Sequence, residues 1–191
     1  MLKTFKEFIA EDTDHLDLYR RYSTGINKSL IAGDHEGHFS FLKSYDTTGK
    51  GDHEYEHHPK KEVLASLDKH TTSKENALKK PTVSYSGVSK EFAKHISDQP
   101  HGHTLKTPAY LSSSHDENIA RKFAEKDNKG GSHILKFHLP VGFHKSKNIP
   151  NAREGGKSST KERLFARNQE FKHVKTEKSG GITYHHYVPH S

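Results

Sequence analysis

Three consecutive serines, Ser112, Ser113 and Ser114, and a glutamate further on, Glu162, offer hydroxyls and a carboxylate that could act together if the fold brings them into one place. In an extended segment Ser112 and Ser114 face the same side. A hydroxyl both donates and accepts, so Ser112 can hold a carboxylate and a sugar oxygen together. A carboxylate fixed beside the sugar stabilises the positive charge that develops when a glycosidic bond breaks. Composition alone gives both groups plainer roles. Glu162 then is a surface glutamate in a charged stretch, and the serines form a turn capping a helix that starts at Glu117.

The other chemistry-bearing residue is histidine, with 18 copies in 191 residues. His35-Glu36-Gly37-His38, His57-His58, His101-Gly102-His103 and His185-His186 are the clusters. None has the helical HExxH spacing or a third ligand that the sequence can place, so no metal site is expected. There is no cysteine, which excludes disulfides and thiolate zinc sites and suits a reducing compartment. No apolar run approaches the roughly 18 to 20 residues of a membrane helix, and no membrane partner is expected. The formal charge of +7 and pI near 9.3 favour polyanionic contacts. Without aromatic interleaving or a recognisable module, this supports nonspecific contact with DNA rather than base recognition.

The elements that must position these groups follow from periodicity. Leu2, Phe5, Phe8 and Ile9 predict a short amphipathic helix over residues 1–14, and Leu16 to Leu30 a second one ending before Gly33. Residues 34–61 are rich in Gly, His, Asp and Lys, which predicts a solvated connection with one short helix around Phe39 to Leu42. A helix from Glu62 and a short one over Ser73 to Lys79 come next, ended by Pro81. Strands are expected at Thr82–Tyr85, Pro108–Leu111, Ser132–Leu139, Leu164–Phe165, Phe171–Val174 and Ile182–Val188. Between them lies a helix over Glu117–Lys126, capped by Asp116, with Ile119, Ala120, Phe123 and Ala124 inward. Lys145 to Lys161 reads as a loop. Helices first and strands later predict an α+β domain.

Several segments carry a family resemblance, and they occur in the family's order. Leu18-Tyr19-Arg20-Arg21-Tyr22 with Ile26-Asn27 and Leu30 is similar to an N-terminal helix. Val83-Ser84-Tyr85-Ser86-Gly87-Val88 resembles a strand ending in aromatic-Arg-Gly, and Tyr110-Leu111-Ser112-Ser113-Ser114, followed by Ala120 and Phe123-Ala124, a serine-x-serine strand with its trailing helix. Ile134 to Gly142 has a strand-Pro-x-Gly texture, and Glu162-Arg163-Leu164-Phe165-Ala166-Arg167-Asn168 with Phe171 and Val174 looks like a catalytic glutamate and the strands after it. Together they resemble the mono-ADP-ribosyltransferases of the three-motif arginine, serine-x-serine and glutamate class.

The resemblance implies an α+β ADP-ribosyltransferase fold, with N-terminal helices followed by a two-sheet mixed β core around an NAD cleft. It implies NAD as substrate, no metal, and release of nicotinamide. Glu162 and Ser112 would be catalytic, with Tyr85, Ser86, Gly87, Ser112, Ser114 and Phe123 binding the dinucleotide. Phe123 either stacks on nicotinamide, as in some members, or packs within its helix. Two positions depart from the family. Ser86 stands where the family has arginine and cannot offer a planar, permanently charged fork to a pyrophosphate; Lys79, Lys80, Lys90 and Arg121 are candidates to compensate. Thr160, in the acceptor loop, stands where arginine-modifying members carry glutamate, so a different acceptor, or water, is expected.

Phe5-Lys6-Glu7-Phe8-Ile9-Ala10-Glu11 resembles the capsid-targeting leaders of internal head proteins in T-even-like bacteriophages, and Ile9-Ala10-Glu11 matches their Leu/Ile-x-Glu cleavage pattern. This implies a leader over residues 1–11, a transferase domain over 12–191, packaging in the phage head, and injection into the host cytoplasm. There the chain would modify a host protein or RNA. The alternatives are a catalytically impaired internal head protein of the same fold that binds host protein or DNA, and an NAD glycohydrolase.

Overall fold

A computed structural model describes residues 5–42, 55–127, 132–149 and 162–190. The chain divides into two compact units, residues 1–69 and 70–191.

The first unit opens with α1 (Phe5–Ile31), which carries both expected helices in one element. The break between them falls at Tyr22, whose backbone leaves the helical region (φ −126°, ψ 21°), and not near Asp14 as the spacing suggested. The C-terminus is where the sequence puts it. Gly33 takes φ +72°, its N–H bonds the Leu30 carbonyl, and the Asp34 N–H bonds the Ser29 carbonyl. This is a Schellman cap, which needs a left-handed residue at that position. Two strands, β1 (His38–Leu42) and β2 (Tyr55–Pro59), pair antiparallel, and α2 (Lys60–Thr72) follows. The helix expected around Phe39 is therefore a strand. Phe39 and Phe41 alternate at period two, and the cross-strand partner that decides in favour of a strand lies too far along the chain for local periodicity to reveal.

The second unit begins with a single 3₁₀ turn at Lys74–Asn76 in place of the expected helix over Ser73–Lys79. Its regular elements are β3 (Thr82–Val88), α3 (Lys90–Ser97), β4 (Thr104–Thr107), β5 (Leu111–Ser114), α4 (Glu117–Asp127), β6 (Ser132–Leu139), β7 (Ser146–Ile149), β8 (Glu162–Phe165), β9 (Gln169–Ser179) and β10 (Ile182–Pro189). Sequence reasoning missed α3, β4 and β7, and it placed β5 a few residues early. The eight strands run β4-β9-β10-β6-β3-β5-β8-β7, every neighbouring pair antiparallel except β10 with β6. Between β3 and β5 the ladder narrows to one pair, Tyr85 opposite Ser114. A five-stranded and a three-stranded half meet there, so the two sheets expected of the mixed β core are joined at a seam into one eight-stranded sheet.

The five-stranded half is covered on both faces. Ile134 and Leu135, adjacent in β6, point to opposite sides. Leu135 joins Phe137, Phe165, Phe171 and Tyr187 in a cluster closed by Ala93 and Ile96 of α3. Ile134 joins Ile182 and Tyr184 under Ala120 and Ala124 of α4. Among the described residues no helix is long and apolar enough to cross a membrane.

Candidate active site

The seam between the sheet halves is held by side chains rather than by the ladder. Ser84 Oγ lies 2.7 Å from Ser113 Oγ, Ser113 Oγ donates to the Arg163 carbonyl at 3.1 Å, and Ser86 Oγ donates to the Ser112 carbonyl at 2.9 Å. Ser84, Ser86 and Ser113 are buried, so these bonds satisfy groups that would otherwise carry a desolvation penalty. Ser86, at the position where a cation was sought, is thus a stitch between β3 and β5.

On the other face of β5 the expected residues converge. Ser114 sits in register with Tyr85 on one side and Glu162 on the other, and Ser112 is two residues along the same strand. A cleft of about 250 Å³ is lined by Tyr85, Ser86, Gly87, Ser112, Ser114, Phe123 and Glu162, together with Ser113, Ile119 and Ala120. Glu162 and Ser112, brought together from distant parts of the chain, share this cleft. Thr160 lies outside the described residues.

The far wall is α4, and its approach depends on Gly87. A Cβ there would overlap the Ala120 carbonyl oxygen and lie 2.7 Å from the Ala124 backbone nitrogen. Ser114 Oγ accepts the Asp116 N–H at 3.0 Å and Asp116 Oδ1 accepts the Asn118 N–H at 2.9 Å, so the serine strand leads directly into the helix cap. The capping turn and the site wall are therefore one structure. Ala120 and Ala124 face the sheet as expected, but Phe123 does not pack inward: it is 65% exposed at the cleft. With Ala120 and Ala124 so close to β3, no room remains on that face for a ring.

None of the candidate compensating cations lines the cleft among the described residues. Arg121 is held by Glu117 and by the Tyr184 hydroxyl (2.7 Å), which in turn donates to Glu117 at 2.6 Å. The Tyr184 hydrogen bond, supported by Arg121, holds the Glu117 carboxyl below its ordinary range. Burial, reinforced by Glu117, pushes the Tyr184 phenol up. A cation that sequence reasoning did not single out, Lys136, lies beside the cleft without lining it. It lies opposite Tyr85 in the β3–β6 ladder, and its Nζ sits 5.8 Å from the Tyr85 and Tyr184 ring centroids. Alternation in β6 does place it on the α4 face; which rings it meets there is decided by β3 and β10. Arg163 was also overlooked. It is buried on the side of β8 away from Glu162, donates to Ser146 Oγ at 2.6 Å, and is pulled below its usual pKa by desolvation. Among the described residues no group of three or more metal-ligating side chains converges.

No protein-family model and no curated protein matches the chain. Solved structures do. An ADP-ribosyltransferase toxin from Paenibacillus larvae aligns with TM-score 0.61 at 18% identity, covering 95% of this chain and 86% of that one. An ADP-ribosyltransferase from Clostridium botulinum gives 0.63 at 12%, covering 93% and 85%. Exoenzyme S from Pseudomonas aeruginosa, solved with human 14-3-3 protein beta and bound to carba-NAD, gives 0.58 at 14%, covering 93% and 72%. The chain has the mixed α+β fold of these ADP-ribosyltransferases.

Proposed function

We propose that this protein is an NAD-dependent mono-ADP-ribosyltransferase whose reacting centre is the cleft between β5, β8 and α4. The observation that carries this reading is the meeting of Glu162 with Ser112 and Ser114 on one wall, opposite the exposed ring of Phe123. The fold is shared with a transferase whose structure holds carba-NAD. A cleft of about 250 Å³ lies below the roughly 300–1,000 Å³ usual for a small-molecule site, so it suits the nicotinamide-ribose end of the dinucleotide rather than the whole.

In this reading Phe123 stacks on nicotinamide and Ser112 orients Glu162. The Glu162 carboxylate accepts a hydrogen bond from the ribose 2′-hydroxyl. The bond from the anomeric carbon to the nicotinamide nitrogen breaks, its electron pair leaves with nicotinamide, and the carboxylate stabilises the positive charge left on the ribose. The acceptor then forms the new bond to that carbon and gives up a proton. With Thr160 in the acceptor loop, which offers a hydroxyl and no carboxylate, an acceptor other than arginine is favoured. Tyr85 and the close backbone at Gly87 line the dinucleotide side.

The leader-like segment around Ile9-Ala10-Glu11 supports a biological setting: cleavage after Glu11, packaging in a phage head, and injection with the DNA to modify a host protein or RNA. One observation favours a second reading. Ser86 is engaged with the Ser112 carbonyl and no cation lines the cleft among the described residues, as fits an NAD glycohydrolase or a binding protein without turnover.

Purified protein incubated with labelled NAD and host lysate tests these readings. Label transfer that falls by about 100-fold or more in Glu162→Gln, with unchanged melting temperature, supports transfer. Nicotinamide release without labelling replaces it with hydrolysis, and neither product leaves the binding protein. Mass spectrometry of virions should find a chain starting at Asp12; an intact Met1 defeats the packaging proposal alone.

A further inference from the structure

A concentration of titratable groups lies on the opposite face of the sheet from the cleft. His101, His103, His133, His173 and His185 line a cavity of about 530 Å³ with Lys178 at its edge, near the α3 end of β6, β9 and β10. In sequence these histidines form only pairs or stand alone; alternation and strand order bring them together.

The rings are wired. His133 Nδ1 lies 3.0 Å from His185 Nε2, His185 Nδ1 lies 3.3 Å from Thr176 Oγ1, and Thr176 Oγ1 lies 2.9 Å from His173 Nε2. His173 Nδ1 ends this chain, buried and without a hydrogen-bond partner. Whichever way the protons run along the wire, its last atom is unsatisfied: a bare lone pair in one direction, an unused N–H in the other. His103, stacked on His173 at 4.9 Å, has its own partners, with Nδ1 facing the Pro100 carbonyl and Nε2 facing the Tyr187 hydroxyl.

Two features decide what such a cavity takes. Its volume falls within the ordinary range of small-molecule sites and is far larger than a bare ion needs, and among the described residues no three ligating groups converge. No carboxylate lines it; the charged or chargeable groups facing it are the five imidazoles, two from the turn before β4 and one each from β6, β9 and β10, and the Lys178 ammonium. Every proton added to the wire turns an acceptor nitrogen into an N–H donor and adds positive charge beside Lys178, with nothing negative in the lining to neutralise it.

We propose that this cavity is a second ligand site, separate from the dinucleotide cleft, which binds a phosphate-bearing anion and takes up protons on its imidazoles as it does so. Burial holds His133, His173 and His185 below the ordinary histidine pKa, His185 at about 4, so these three rings are uncharged near neutral pH until an anion beside them favours their protonation. The site is weak at high pH and strengthens as protons become available.

Calorimetric titration of the full chain with inorganic phosphate and, separately, adenosine monophosphate tests this. The dissociation constant of at least one probe is expected to fall by about tenfold or more from about pH 8 to about pH 6, with a binding enthalpy that changes with the buffer's ionisation heat. The tighter probe tells whether free phosphate or a nucleotide is the better source. Both lysine and ring at the rim are exposed, so His101→Gln combined with Lys178→Gln should fold normally and weaken binding by about tenfold or more. Binding that is absent, that is independent of pH, or that persists in this double variant overturns the proposal. So does binding lost in Glu162→Gln, which would put the anion in the other cleft. Tight zinc binding lost in the double variant, without phosphate binding, would make the cavity a metal site instead.

Discussion

Gly87→Ala is the sharpest perturbation of the cleft, because it adds one methyl at the point where α4 lies closest to β3. The new Cβ would meet backbone, the Ala120 carbonyl oxygen and the Ala124 nitrogen at 2.7 Å, and not the end of a side chain that could rotate away. Ordinary contact requires α4 to retreat by about 1 Å. Its inward residues, Ala120 and Ala124, pack on Ile134, Ile182 and Tyr184, so the retreat opens that layer. Overpacking of this kind costs about 1–3 kcal/mol, with a drop of roughly 2–4 °C in Tm for each kcal/mol in a chain of this size. The same shift carries Phe123 and Ile119 away from the strand bearing Ser112 and Ser114, so kcat/KM for NAD should fall by about tenfold or more. Differential scanning calorimetry and a nicotinamide-release assay read the two effects. A Tm within about 1 °C of the parent, with unaltered turnover, would refute the placement of α4 on Gly87.

Acid should unfold the protein through its histidines. His133, His138, His173, His185 and His186 are all held below the ordinary value, in each case chiefly by burial. A depressed histidine binds more protons unfolded than folded, so its stabilisation is complete above about pH 6.5 and is lost as pH falls toward the folded value, about 4 for His185. Melting temperature should therefore decline between about pH 6.5 and 4, and His185→Gln should flatten the decline. Tyr184→Phe removes the hydroxyl shared by Glu117 and Arg121 and should cost about 1–3 kcal/mol by urea denaturation, with the Tyr184–Glu117 part of the effect persisting in an Arg121→Met background. Phe123→Ala, at an exposed ring, should leave stability within about 0.5 kcal/mol while raising KM for NAD; a large loss of stability would return the ring to a packing role.

Much of the second unit could be read from the sequence because its signals are local. Ser132–Leu139 alternates and forms β6 over that span, and Asp116 caps a helix beginning at Glu117; in the first unit, Gly33 likewise ends α1. The residues that meet in the cleft were marked by the resemblance that Tyr85-Ser86-Gly87, Ser112-Ser113-Ser114 and Glu162 carry, where composition alone left Glu162 a surface glutamate. Tertiary structure decided what depends on partners distant in the chain. Only strand pairing places Glu162 opposite Ser114, makes Ser86 a stitch to the Ser112 carbonyl, and turns the segment around Phe39 into a strand. The packing of α4 presents Ala120 and Ala124 to the sheet and leaves Phe123 exposed at the cleft, and strand order together with the turn before β4 gathers five scattered histidines around one cavity. The physical reason is the same in each case: periodicity fixes which face of an element a residue takes, but the neighbour that face meets is set by contacts that close long loops.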